Sequence, residues 1–486
     1  ADTATTMGTL GANTSYATPS VQFLLPAAAL RSGLAWQVER DATGTARDDS
    51  AANDVFPRTG RANLVTVDVP TLNVRFVPIV LSAHGNTTGA VSAASIPEYL
   101  RTLRSIHPVG RIDAQVGTPL TTSASFGTPP SGGERAFWVQ VLAELDLARL
   151  ADPTDPQTHW YGVVVPPAGF NFTAFGGFGY IPATGSSTGA STRTALGVQL
   201  GWFSRPTQAR DLVAHELAHN FGRLHAPCGG AGAPLDGAYP FPGGLIDRHG
   251  HDVFSWATQR TTSATTVNTD VGDVMGYCFP VWTSTYTYRG ILEFRGSTAA
   301  PPPIARVLVV RGSIVDGIGV ELEPAFAIDA RPSLPERVGA YRLEGLDSDG
   351  RVLFAHDFEP AVLDHTPAVR PFTLAIPASP QLEDALVTLR VRGPAGEARM
   401  TRVPSAGPAG RGPALRATAS RIAFGMASVT CADGAARGIL VRHAGTGAVL
   451  GTARGATMEV AAAPGTPLDV ACSDGVRTER SSAIVN

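Results

Sequence analysis

Eleven residues, His215 to His225, read H-E-L-A-H-N-F-G-R-L-H and dictate much of their own local structure. Residues four apart on an α-helix share one face, so His215 and His219 can present both imidazoles to a single metal ion. Glu216 sits beside that ion without ligating it, where a carboxylate can take a proton from water and later return it to a leaving amine. Gly222 is placed to end the helix, because glycine takes the left-handed backbone conformation at little cost. The chain can then turn and bring in His225 as a third ligand. Three protein nitrogens leave the fourth tetrahedral position open, which is the donor count of a catalytic rather than a structural zinc site. The cofactor expected is therefore one Zn2+. Asp270 and Asp273 could hold calcium or simply orient the nearby turn, and no EF-hand or repeat motif supports calcium.

A chain of 486 residues exceeds what one hydrophobic core usually serves, so two to four domains are expected. The hydrophobic fraction of 43% and charged fraction of 16% are those of a folded protein. A formal net charge of -3 recommends neither nucleic acid nor an anionic membrane as a partner. No uninterrupted apolar stretch of about 20 residues occurs, so no membrane span is expected. The sequence opens at Ala1 without an export signal, which is read as a secreted form whose signal has been removed. A monomer is expected.

Four cysteines allow three pairings, and sequence does not choose strictly among them. Domain logic favours Cys228 with Cys278 and Cys431 with Cys472, since each pair then closes within one region of the chain. A bond between Cys228 and Cys278 would contribute about 3 to 4 kcal/mol under the loop-entropy model.

Four regions follow from periodicity and punctuation. Residues 1–68 are rich in Gly, Ala, Thr and Asp with short strand-like runs, and read as an N-terminal β-rich segment or the remnant of a pro-region packed on the enzyme. That segment carries no cysteine. Residues 69–296 alternate between types: a strand over Leu72 to Val80, a helix over Ile96 to His107, a strand at R-I-D-A-Q-V, a helix over Arg135 to Leu150, and a strand from His159. A further strand from Thr194 to Leu200 leads to the motif helix at about Arg205 to Phe221, with Pro206 in its first turn. After a proline-rich linker, residues 304–402 show short alternating strands that suggest a β-sandwich. Residues 412–486 would form a smaller β domain. The run Gly177, Phe178, Gly179, Tyr180 mixes glycines with aromatics, as suits an exposed edge strand that another backbone can approach. An ordinary glycine-rich loop is the alternative.

The eleven-residue string resembles the metzincin signature H-E-x-x-H-x-x-G-x-x-H. The resemblance extends to D-V-M-G-Y-C, which puts Met275 and then Tyr277 fifty residues downstream, in the order of the metzincin Met-turn. It is similar to gametolysin-like and reprolysin-like secreted proteases. The family implies an α+β fold, with a mixed twisted sheet, stacked helices and a Met-turn, followed here by one or two β-sandwich domains. It implies a zinc endopeptidase in which Met275 supports the metal from below, Tyr277 stabilises the transition state, and the edge strand at Gly177–Tyr180 pairs with the substrate in β fashion. The expected partner is a protein or glycoprotein substrate. Two rivals stay open: an adhesin or glycan-binding protein with a vestigial metal centre, and a protease directed at mucin-type glycoproteins.

Overall fold

The strand Leu72–Leu81 lies within the largest sheet and is apolar on both faces. Leu72, Val74 and Phe76 enter one core, whereas Val77, Ile79 and Leu81 enter the other, as the two-residue period of a strand requires. This is why the run reads as continuously hydrophobic: helices cover both sides of it. The structure is a computed structural model that describes residues 30–39, 54–127, 134–152, 157–167, 176–182, 193–202, 208–252, 266–267, 269–296, 302–335, 338–402, 417–423, 425–432 and 436–486.

The strands Leu72–Leu81, His159–Val164 and Thr194–Val198 run parallel, and Gly177–Ile181 lies antiparallel beside the last of these. Helix Glu134–Ala151 covers one face with Phe137, Trp138, Val141, Leu142 and Leu145, spaced three and four apart. The opposite face takes the motif helix, Gln208–Asn220, through Val213, Ala214, Leu217 and Ala218, together with Phe221 just past its end. Pro206, expected in the first turn of that helix, lies outside the described residues. The helical period over Ile96 to His107 becomes two pieces, Ile96–Tyr99 and Arg101–Ile106, joined at Leu100, where ψ is 0°.

The α+β expectation is overturned. The described chain is mostly β, with 42% strand and 17% helix distributed over many sheets and only six α-helices among the described residues. The physical reason lies downstream of residue 304. Long alternating strands there outweigh the few helices that surround the metal motif, and some of them join the same sheet. Its twelve strands continue past Leu120–Thr122 to Val449–Arg454, Gly438–His443, Pro467–Ser473 and Thr478–Ile484. Parallel pairing of Thr121 with Gly451 makes the junction. At the other end, Gly177–Ile181 is covered by the two-residue strand Val362–Leu363.

Residues 305–401 form two four-stranded sheets that enclose Leu308, Val310, Tyr341, Leu343, Phe358, Leu374 and Val391. Val307, Val309, Phe326 and Ile328 of the first of these sheets share the core of helix Glu134–Ala151. Farther on, a three-stranded sheet (Ala417–Ala423, Met426–Cys431, Thr457–Ala461) packs on the end of the large sheet. The Cys431–Cys472 disulfide joins those two layers.

By contact the chain divides into two compact units, residues 71–248 with 268–486, and residues 1–70 with 249–267. In the smaller one, Ala35–Trp36 pairs with Ala62–Asn63, Val38–Glu39 with Val55–Phe56, and Gly250–His251 with Thr266–Val267.

Candidate metal centre

The motif helix ends as its glycine predicts. Gly222 has φ 78°, Arg223 N–H donates to Ala218 O at 3.1 Å, and Gly222 N–H donates to His219 O at 2.8 Å. These two bonds are those of a Schellman cap, and they turn the chain toward His225. His215, His219 and His225 are all buried.

Each imidazole is oriented from behind by a backbone carbonyl. Nδ1 donates to Val274 O at 2.7 Å from His215, to Arg223 O at 2.6 Å from His219, and to Gly232 O at 2.7 Å from His225. A carbonyl only accepts, so the proton sits on Nδ1 and the Nε2 lone pairs face inward. His215 Nε2 is 3.1 Å from His219 Nε2 and 3.2 Å from His225 Nε2. Nitrogens bound tetrahedrally at zinc distances stand roughly 3.3 Å apart, which these separations approach. Burial, then the neighbouring His219 and His225, holds the His215 pKa well below its ordinary value. Three lone pairs gathered in a buried space repel one another unless a cation lies among them. The residues present therefore fit a metal ion, and His215, His219 and His225 are the groups that would hold it.

Glu216 is fully buried, and neither carboxylate oxygen has a hydrogen-bond partner. Burial, followed by the nearby Asp364 carboxylate, pushes its pKa well above the ordinary value. The edge strand comes very close to it. A Cβ on Gly177 would stand 2.8 Å from Glu216 Oε1, and one on Gly179 would stand 2.9 Å from Glu216 O. Glycine is required at both positions for that approach. Between them Phe178 points to the opposite core, where its ring stacks on Trp138 at 6.1 Å, and Tyr180 is buried on the same side. The four residues Gly177, Phe178, Gly179 and Tyr180 are thus strand rather than loop, and their strand passes directly over the motif helix, but it is not the exposed edge expected: it is buried throughout and flanked by Val362–Leu363, which the chain itself supplies from downstream.

Met275 is buried in the core that also takes Val213, Ala214 and Leu217 of the motif helix, and its carbonyl accepts from Ala226 N–H at 2.9 Å, just past His225. Asp273 shapes this turn by accepting from Met275 N–H at 2.8 Å and Ser284 N–H at 2.9 Å. The carbonyl of Val274 in the same turn orients His215, so turn and ligand are mechanically one piece. The Cys228–Cys278 disulfide spans from beside His225 to beside Tyr277. The Tyr277 ring lies 5.3 Å from that of His225 and 5.9 Å from that of His215. Its hydroxyl is 2.9 Å from His365 Nε2.

Two residues at this site were not singled out in the sequence, Asp364 and His365. Asp364 Oδ1 is 3.0 Å from His225 Nε2, and Oδ2 is 3.3 Å from His219 Nε2. Both oxygens are buried, and among the described residues no other group donates a hydrogen bond to them. One ligand atom from each of His215, His219, His225 and Asp364 falls in a single group, all within 4.8 Å of one another. No signal in the sequence marks Asp364, because only the pairing of Val362–Leu363 with the edge strand delivers it.

No helix among the described residues is long and apolar enough to cross a membrane. Comparison of the chain with protein-family models and with curated proteins returns no match.

Proposed function

We propose that this chain is a zinc-dependent endopeptidase with a metzincin-type active site. The observation that carries the reading is the convergence of three imidazoles beside a buried carboxylate that has no hydrogen-bond partner among the described residues. Zinc, when bound there, supplies a Lewis acid for a peptide carbonyl and lowers the pKa of water. Glu216 takes the proton of the attacking water and returns it to the departing amine. The edge strand Gly177–Ile181 orients an extended peptide by main-chain pairing, which gives affinity with little side-chain choice. Tyr277 is the donor nearest the ligands that could serve a developing oxyanion, once its hydroxyl leaves His365. The substrate class is protein or glycoprotein. Two disulfides favour an oxidising compartment, in keeping with an exported enzyme.

Metal analysis of the purified chain should find one zinc per molecule, and Glu216→Gln should keep that zinc while casein cleavage falls by several orders of magnitude. Cleavage is to be followed in the wild-type chain and in Asp364→Ala side by side, each with and without a chelator. The reading fails if zinc is not bound, or if neither chain cleaves casein.

A further inference from the structure

We propose that Val362–Thr366 is an internal occupant of the peptide-binding edge and that Asp364 is a fourth protein ligand of the ion, so that the full chain is held closed until this segment moves. The inference rests on the zinc-peptidase reading and concerns how that site is regulated.

Three observations carry it. First, Ile181 and Tyr180 pair antiparallel with Val362 and Leu363, and Asp364 N–H continues the register by donating to Gly179 O at 3.4 Å. An extended substrate would use this same row of backbone groups. Second, the carboxylate of Asp364 lies 3.0 Å from one imidazole nitrogen and 3.3 Å from another. With Nδ1 of each ring turned to a backbone carbonyl, both Nε2 atoms face the carboxylate, and a cation shared among the three groups would make that approach favourable. Hydrolysis needs water at the fourth vertex, and four protein donors make a closed site. The Glu216 and Asp364 carboxylates and His365 also fall within 4.8 Å of one another, so Asp364 stands where the attacking water would meet its base.

Third, the segment is seated rather than passing by. His365 has φ 55°, a left-handed conformation that costs a residue with a side chain. Its ring is met by the Tyr277 hydroxyl, by Phe178 at 5.3 Å and by His225 at 5.2 Å. Asp364 and Thr366 are buried. The segment belongs to the connection between strands Val352–Phe358 and Val369–Pro377, so opening can leave the pairing of both strands intact, at the cost of drawing Leu363 out of the core.

Cobalt in place of zinc gives a visible spectrum that reports the ligand set, and acetohydroxamate is a small probe for an open vertex. In the full-length cobalt protein the spectrum should be insensitive to acetohydroxamate. Asp364→Ala and the near-isosteric Asp364→Asn should keep cobalt, respond to the probe, and cleave casein at least about tenfold faster than wild type, the scale on which altered metal shells change activity. If the Ala variant does not fold by circular dichroism, the Asn variant decides. A wild-type chain that binds acetohydroxamate as tightly as the variants overturns the internal occupant and leaves the peptidase reading standing. Folded variants that lose cobalt overturn it too, and make Asp364 a structural ligand. A wild-type chain that holds neither zinc nor cobalt defeats the underlying reading instead.

Discussion

His215, Glu216, His219 and His225 were legible because helix geometry converts their spacing into convergence without help from the rest of the fold. Asp364 was not, since a lone aspartate in a β-rich stretch carries no periodic or motif signal. Glu144 was hidden for the same reason. It is buried on helix Glu134–Ala151 and accepts from Gln140 Nε2 at 2.8 Å. Burial raises its pKa from 4.5 to about 7, against the lowering effect of Thr122, Gln140 and Arg311. The folded chain thus holds a proton that the unfolded chain has already released. Its contribution to stability is complete below about pH 4.5 and declines as pH rises through about 7. Glu144→Gln, which keeps the bond from Gln140, should be more stable than wild type at pH 8 by up to about 3 kcal/mol. At pH 4 the two should coincide. Urea denaturation at both pH values checks this, and an equal gain at each would assign the effect to packing instead.

At the scale of elements, strand and helix positions around the motif followed from apolar period, whereas what holds the elements to one another did not. Asn220 shows why. In the sequence it is only the last residue of a helix, but its Nδ2 donates to Tyr180 O at 2.9 Å and Thr194 O at 3.0 Å, and His159 Nδ1 donates to its Oδ1 at 3.2 Å. One buried amide therefore fixes the height of the edge strand above Glu216. Asn220→Ala leaves two buried carbonyls without a donor and should cost about 1 to 3 kcal/mol for each group left unsatisfied. The melting temperature should fall, and a Glu216-dependent rate measured in the Asp364→Ala background should fall with it. A lowered melting temperature with the rate intact would limit Asn220 to holding the fold. The turn at Met275 was legible from its residue order, but its attachment to His215 through the Val274 carbonyl appears only in three dimensions.

For the whole molecule, alternating strands after residue 304 announced β structure, while their union with the sheet beside the motif helix was invisible, because pairing partners hundreds of residues apart leave no local trace. The sheet depends on that union at both flanks: Val362–Leu363 covers one edge strand, and Val449–Arg454 continues the sheet beyond Leu120–Thr122. A chain truncated after Gly296 would expose both rows of backbone donors and acceptors and the apolar face of helix Glu134–Ala151. It should aggregate, and light scattering of the expressed fragment tests this. A soluble monomeric fragment would mean that the downstream layers are accessories. The contact between Thr121 and Gly451 has a further, kinetic side. Closing so long a loop is entropically slow, and chains dominated by distant pairings fold late. The large sheet beside the motif helix is therefore completed only when strands near the far end of the polypeptide have been made, and until then its flank at Leu120–Thr122 keeps a row of backbone groups open to any passing strand.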